Sequence, residues 1–280
     1  MKRTTRIPRK LRAIVGKEEV PSFPGITTQV LQKLRDPDAA VGDVAECLQW
    51  DAVLVLEVLR TVNSAAFGAA TQIVDVQHAI TFMGRSQLEQ LVLAIAIKNC
   101  LPGDPAPGFQ RGRYWRAAAF RAALGRSLAR QLHPARQADA FASGLLQDLA
   151  VPILAHSRPA EYGGVLQRWH DGDPARLDEL ETEAFGWSHG QVGGMLGRVW
   201  ELPAPLVASI ERHHDDRATD EELLPSTRLV SVLRETREHC GVDALVEEAR
   251  SGYGLAPDWT TEAVATCEEQ AEELAQGLFG

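Results

Sequence analysis

Apolar positions along this chain recur at helical spacing almost from end to end. Val41, Val44, Ala45 and Leu48 follow the turn Asp36-Pro37-Asp38, and Leu54, Val55, Val58, Leu59 and Val62 follow Asp51, which can cap a helix. Gly84 ends a short helix, and Ser86 with Glu89 reads as a capping box for a helix over Gln87–Cys100, with Leu88, Leu91, Val92, Ile95 and Asn99 on its buried stripe. Further helices are predicted over 114–132, over 139–155 and after Pro159, Ser188 and Pro203. A last helix is predicted over 261–278, with Val264, Cys267, Ala271 and Leu274 on one face. No run shows a sustained alternation at the period of a strand, so the pattern predicts an all-α fold with essentially no sheet.

Punctuation divides the pattern. The stretch Leu101-Pro102-Gly103-Asp104-Pro105-Ala106-Pro107-Gly108 cannot continue a helix and reads as a linker. It separates a helical subdomain over 19–101 from a second over 109–217, with an acidic helical extension over 218–280. The longest wholly apolar run, Leu91–Ile97, is far shorter than the roughly 20 residues of a bilayer span, so no membrane helix is expected.

Charge adds one feature. The net charge is −9, yet residues 1–17 hold Lys2, Arg3, Arg6, Arg9, Lys10, Arg12 and Lys17 and no acid, so the rest carries −16. Residues 1–18 are expected as a basic flexible arm. An acidic body does not suit a general nucleic-acid binder, and nucleic acid is not an expected partner. Cys47, Cys100, Cys240 and Cys267 form no CxxC pair, and no apolar segment follows the basic arm as in a secretion signal, so a reducing cytoplasm is expected.

The side chains able to carry chemistry lie in the second half: Asp148, His189, and the pair His213-His214. They are the right types for a metal-dependent hydrolase, which needs several N or O ligands around an ion with an open position. Each also has a structural role open to it. Asp148 precedes Pro152 by four residues, His189 follows a capping Ser188, and the His pair ends a helix where cations suit the dipole. No Gly-x-Ser-x-Gly elbow or phosphate loop is present; Gly190, Gly193, Gly194 and Gly197 lie in a helical segment and suit close packing.

Taken in order, these motifs resemble the HDOD domain, a helical signalling module related to the HD-domain phosphohydrolases. In the first half the resemblance rests on Pro21-Ser22-Phe23-Pro24-Gly25, Asp36-Pro37-Asp38-Ala39, Asp51, Asn63-Ser64-Ala65-Ala66-Phe67-Gly68, Ala79-Ile80 and Met83-Gly84. In the second it rests on Tyr114-Trp115-Arg116, Gly144-Leu145-Leu146-Gln147-Asp148-Leu149, Trp187-Ser188-His189, Trp200-Glu201-Leu202-Pro203 and Ile210-Glu211-Arg212-His213-His214. Asn63, Phe67, Gly84 and Trp115 are family-motif positions by this resemblance, and residues 109–217 are expected to be HD-like.

The departures bear on function. Catalytic relatives place a metal-binding His where this chain has Ala117, their His-Asp doublet is Gln147-Asp148 here, and no Asp occurs in 228–236. The expectation is therefore a non-catalytic bacterial signal-transduction module with no catalytic residue, no metal and no cofactor. Asp148, His189, His213 and His214 remain as a candidate residual ligand pocket. A protein of a signalling pathway is the implied partner, with a nucleotide-like ligand as the implied small molecule. The competing reading is a degenerate metal-dependent phosphohydrolase acting on a nucleotide or cyclic dinucleotide.

Overall fold

A computed structural model describes residues 4–17, 19–22, 25–64, 67–102, 106, 108–234 and 241–279. Phe23, Pro24, Ala65, Ala66, Cys240, most of the linker and the side chain of Leu278 lie outside the described residues. The first half runs β1 (Thr4–Arg6), α1 (Arg9–Val15), β2 (Glu19–Pro21), α2 (Gly25–Arg35), α3 (Val41–Gln49), α4 (Ala52–Val62), α5 (Val76–Met83) and α6 (Arg85–Cys100). The second continues with α7 (Arg111–Leu132), a 3-10 turn (Pro134–Arg136), α8 (Gln137–Leu146), α9 (Ala150–Ser157), α10 (Pro159–His170) and α11 (Leu177–Phe185). It closes with α12 (His189–Val199), α13 (Ala204–Arg212), α14 (Pro225–Ser231), α15 (Val242–Tyr253) and α16 (Pro257–Phe279). The fold is all-α apart from one short hairpin-like pairing.

That pairing is the small exception in a chain expected to hold essentially no sheet. Thr4–Arg6 lies antiparallel to Glu19–Pro21, with Thr5 opposite Val20. Three-residue strands are too short to show the alternation by which a sheet is read. The same region corrects the flexible arm. Leu11, Ile14 and Val15 lie on one face of α1 and are buried, and Arg158 donates to the carbonyls of Ala13 (2.8 Å) and Ile14 (2.5 Å). Arg9 and Lys10 stay exposed while an i, i+3, i+4 apolar stripe anchors the helix.

Several predicted caps form. Asp51 accepts from the amides of Val53 and Leu54 at the start of α4, and Asp36 accepts from Asp38 N at 3.0 Å in the preceding turn. The Ser86–Glu89 box does not form: α6 begins at Arg85 with Gly84 as its N-cap at φ +78°, and Glu89 pairs with Arg35 instead (2.6 Å). Gly84 links α5 to α6 because a left-handed φ carries little strain without a Cβ. Helix α6 is buried on nearly every side from Leu91 to Ile97, so it is a central helix and not a striped one, and Asn99 is exposed.

The helix predicted over 139–155 is two helices. Pro152 has no N–H to give the carbonyl of Asp148, and Val151 N takes that carbonyl at 2.9 Å in a tighter turn. The break at 147–149 turns Asp148 toward α12 and α13. Residues 134–157 are long and apolar enough to cross a membrane by composition, but 89% of that window is packed inside the protein.

One apolar cluster runs from Ile7 through α6 to Leu274, so the core is continuous across the boundaries read from the sequence. Two glycine contacts set its geometry around the second half. A Cβ on Gly144 would stand 2.5 Å from the carbonyl oxygen of Arg121, so α8 touches the backbone of α7. Gly190, Gly193, Gly194 and Gly197 likewise admit α13: a Cβ on Gly193 would meet Ile210 at 2.7 Å, and one on Gly190 would meet the Glu211 carbonyl at 3.0 Å.

These contacts generate a paired prediction. Gly144→Ala forces two backbones apart and is expected to destabilise the protein by about 2–3 kcal/mol. Gly164→Ala, on exposed α10 with nothing within 4 Å, is expected to stabilise by about 0.5–1 kcal/mol. Urea unfolding measures both; equal effects of the two substitutions would contradict the close α7–α8 approach.

Candidate functional site

The glycine contacts bring four segments to one point: α7, the 147–149 turn, the start of α12 and the end of α13. Ser188 caps α12 in a box with Gln191, as its sequence suggests. The capped turn points His189 inward, where it is 1% exposed, and His213 at the end of α13 is 2% exposed. Asp148, His189, His213 and His214 place their ligand atoms within 4.8 Å of one another. All four residues of the candidate pocket therefore meet.

The inner triangle is tight. His189 Nε2 lies 3.1 Å from His213 Nε2, and Asp148 Oδ1 lies 3.3 Å from the first and 3.2 Å from the second. That oxygen is buried yet aligned with neither ring for a hydrogen bond. The outer nitrogens are fixed. A carbonyl only accepts, so His213 Nδ1 donates to Ile210 O at 2.8 Å. His189 Nδ1 donates to Glu181 Oε2 at 2.7 Å, and the His189 amide meets the same oxygen at 2.6 Å. Tyr162 donates its hydroxyl to the other Glu181 oxygen. Glu181 is wholly buried, and these three donors offset its desolvation.

Two imidazoles turned inward by outer acceptors, with a carboxylate between them, form a donor set suited to a divalent transition metal. The donor atoms present therefore fit part of an ion's shell. The further donors that the resemblance implies for catalytic relatives are not here. Ala117 is a buried methyl on α7 and Gln147 a buried amide, while residues 228–234 supply no carboxylate. One turn beyond Ala117 on the same face of α7 stands Arg121, 2% exposed. Its guanidinium pairs with Asp148 Oδ2 and donates to Leu233 O at 3.4 Å.

Arg121 changes the electrostatics. Burial would raise the Asp148 pKa, but the Arg121 charge, with His189 and His213 beside it, holds the carboxyl well below its ordinary value. Burial also opposes protonation of His189, yet Glu181 and Asp148 override it and hold the imidazole well above the usual range. Burial, with His213 and His189 adding to it, pushes His214 well below that range. Two carboxylates thus face one guanidinium and one imidazolium, and the cluster is close to neutral with protein groups alone. Beside it lies a cavity of about 40 Å³ lined in part by Gln147, Trp169 and His214, room for about one water.

The family-motif positions lie elsewhere and are structural. Asn63 closes the loop after α4, donating to Leu59 O (2.7 Å) and Ile73 O (2.8 Å) and accepting from Ile73 N (2.8 Å). Phe67 packs edge-on against Phe141 at 5.5 Å. Trp115 is buried edge-on to Tyr114 at 4.8 Å, and Gly84 makes the α5–α6 turn. Sequence reasoning missed Arg121, Glu181 and Tyr162. The one available signal was an arginine within the small apolar run Ala117–Leu124, where a charge needs a buried partner.

A pH dependence follows. A raised His189 pKa means stability that is complete below the ordinary histidine pKa of about 6.5 and is lost as pH rises through the folded value. The lowered His214 pKa acts oppositely, with stability complete above about 6.5 and lost as pH falls. The cluster's contribution therefore peaks near the ordinary histidine pKa. Glu181→Gln is expected to flatten the alkaline limb of melting temperature against pH, and His214→Gln the acid limb. Limbs that stay parallel to the wild type in both variants would contradict these assignments.

Comparison with known proteins follows the same lines. A 1.62 Å structure from Shewanella amazonensis SB2B, provisionally assigned as a phosphohydrolase, is similar with a TM-score of 0.74 and 21% identity over 96% of this chain and 98% of that one. An HDOD domain protein of unknown function from Geobacter sulfurreducens gives a TM-score of 0.70 and 21% identity over 96% of each chain. A provisionally assigned signal transduction protein from Marinobacter aquaeolei VT8 gives 0.74 and 18%, covering 99% of this chain and 63% of that one. An uncharacterized protein of Treponema pallidum is 24% identical over 214 residues, and the chain spans 40% of that relative's length. The HDOD domain matches residues 20–216, more than half of the sequence, and the chain belongs to the HDOD family.

Proposed function

We propose that this chain is a non-catalytic signal-transduction module that acts through contact with a protein partner or a small ligand. The observation that carries this reading is the Arg121 guanidinium on Asp148. A divalent ion at the histidine–aspartate cluster would have to share Asp148 with a fixed buried cation one bond away and would have to displace the proton that Glu181 and Asp148 hold on His189. The donors lost at Ala117 and Gln147 leave fewer ligands to offset that repulsion. The adjoining cavity of about 40 Å³ is also far below the ~300 Å³ at which small-ligand clefts begin.

The surviving role of the cluster is then structural. It ties the middle of α7 to the start of α12 and the end of α13 through one charged network, whose loss would release the three helices together. Among the described residues, Cys47, Cys100 and Cys267 are buried and in no disulfide, in keeping with a reducing cytoplasm as the place of action.

A second reading, a degenerate metal-dependent phosphohydrolase, is favoured by the convergence of Asp148, His189, His213 and His214. The two readings separate in one experiment. Purified protein grown with added Mn, Fe and Zn is analysed for metal and assayed on nucleotides, cyclic dinucleotides and a nitrophenyl phosphate. The expected result is metal well below one ion per chain and background turnover. Metal-stimulated hydrolysis that disappears in Asp148→Ala would overturn the proposal.

A further inference from the structure

Helix α16 lies along α7 and buries Val264 and Cys267 against Ala123, Leu124 and Leu128. Where the two helices part, facing the loop after α4, they leave a cleft of about 390 Å³. Its wall on α7 is Arg126, Ser127 and Arg130; its wall on α16 includes Trp259, Thr266 and Gln270. This cleft is separate from the histidine–aspartate cluster and shares none of its residues.

Its chemistry is unlike that of the rest of the surface. Outside the N-terminal 17 residues the chain carries −16, yet this cleft presents two guanidinium groups against one acid, Glu262. Arg126 and Arg130 are one helical turn apart and therefore on one face. The Arg126 guanidinium lies 4.4 Å over the Phe67 ring, which fixes it at the cleft mouth. Phe67 is itself packed against Phe141 at 5.5 Å, and its amide donates to Ser64 O at 3.0 Å, so an anchored ring positions the cation.

Two arginines at this spacing can take the oxygens of one phosphate in charge-assisted pairs, a task guanidinium geometry suits. An indole, two hydroxyls and a side-chain amide around the same space suit a sugar and an aromatic base. The volume falls at the lower end of the ~300–1,000 Å³ range of small-ligand clefts, which fits one nucleotide unit and not two.

We propose that the α7–α16 cleft binds a nucleoside monophosphate, with the phosphate held by Arg126 and Arg130 and the base laid against Trp259. The crowding of the two cations supports this. Burial and the adjacent Arg130 charge pull the Arg126 guanidinium down to about 10, a cost that a bound dianion between them reverses. Burial pushes the Cys267 thiol in the same cleft up to about 11, so it lines the cleft as a neutral group. Helix α16 lies beyond residues 20–216 of the family match, so the cleft joins the shared domain to a helix outside it.

The test is isothermal titration of the full chain with AMP, GMP, CMP, inorganic phosphate and adenosine. At least one monophosphate is expected to bind about tenfold or more tighter than both inorganic phosphate and adenosine. Arg130→Gln, at an exposed position whose loss leaves packing intact, is expected to weaken that binding by about tenfold or more. Arg9→Gln, which removes an equal charge from the surface of α1, is expected to leave it unchanged. No monophosphate binding above that of phosphate would overturn the proposal, as would full affinity in Arg130→Gln or an equal loss in Arg9→Gln. None of these measurements involves metal or hydrolysis, so their outcome is independent of the reading given to the histidine–aspartate cluster.

Discussion

The buried pair of Arg121 and Asp148 is the contact around which the second half of this protein is arranged. A guanidinium that is 2% exposed survives in a helical core only with its charge matched. Asp148 supplies the charge and the Leu233 carbonyl takes a further donor. The pair requires α7 and the 147–149 turn to lie at one fixed distance, and Gly144 against the Arg121 carbonyl provides it. Both halves of the arrangement are thus set by the absence of a side chain at one position and the presence of a charged one at another.

The same pair decides what the neighbouring histidines can be. In a site whose cation is a metal, inward imidazole nitrogens are ligands and their outer hydrogen bonds orient them. Here the outer hydrogen bonds persist, from His189 to Glu181 and from His213 to Ile210, but the positive charge is covalently part of the chain. In the proposed reading this donor geometry works as a latch between the middle of α7, the start of α12 and the end of α13. Such a latch gives a rigid body, and a rigid body suits a module that presents surfaces and clefts to others.

Much of the fold was legible in the sequence because caps and stripes act locally. Asp51, Ser188 and the glycine face of α12 did what their spacing implied, and Val264, Cys267, Ala271 and Leu274 all turned inward. The three-residue strands, the anchoring of α1 by Arg158 and the split of 139–155 were not legible as such. Each depends on a partner more than ten residues away or on which of two turns a proline permits. The candidate site was half legible. Asp148, His189, His213 and His214 are the types that a metal chemistry needs, and the structure gathers them. Arg121 and Glu181 were hidden because arginine and glutamate are abundant, and only burial sets these two apart from the rest.

The most direct test of the central claim, that Arg121 stands in for a metal cation, is the Zn²⁺ affinity of the wild type against that of Arg121→Gln, measured by equilibrium dialysis at neutral pH. Removing a fixed charge beside Asp148 should tighten Zn²⁺ binding by about tenfold or more if the guanidinium and the ion compete for that carboxylate. Tight stoichiometric Zn²⁺ in the wild type, or an affinity unchanged by the substitution in a folded variant, would contradict the account.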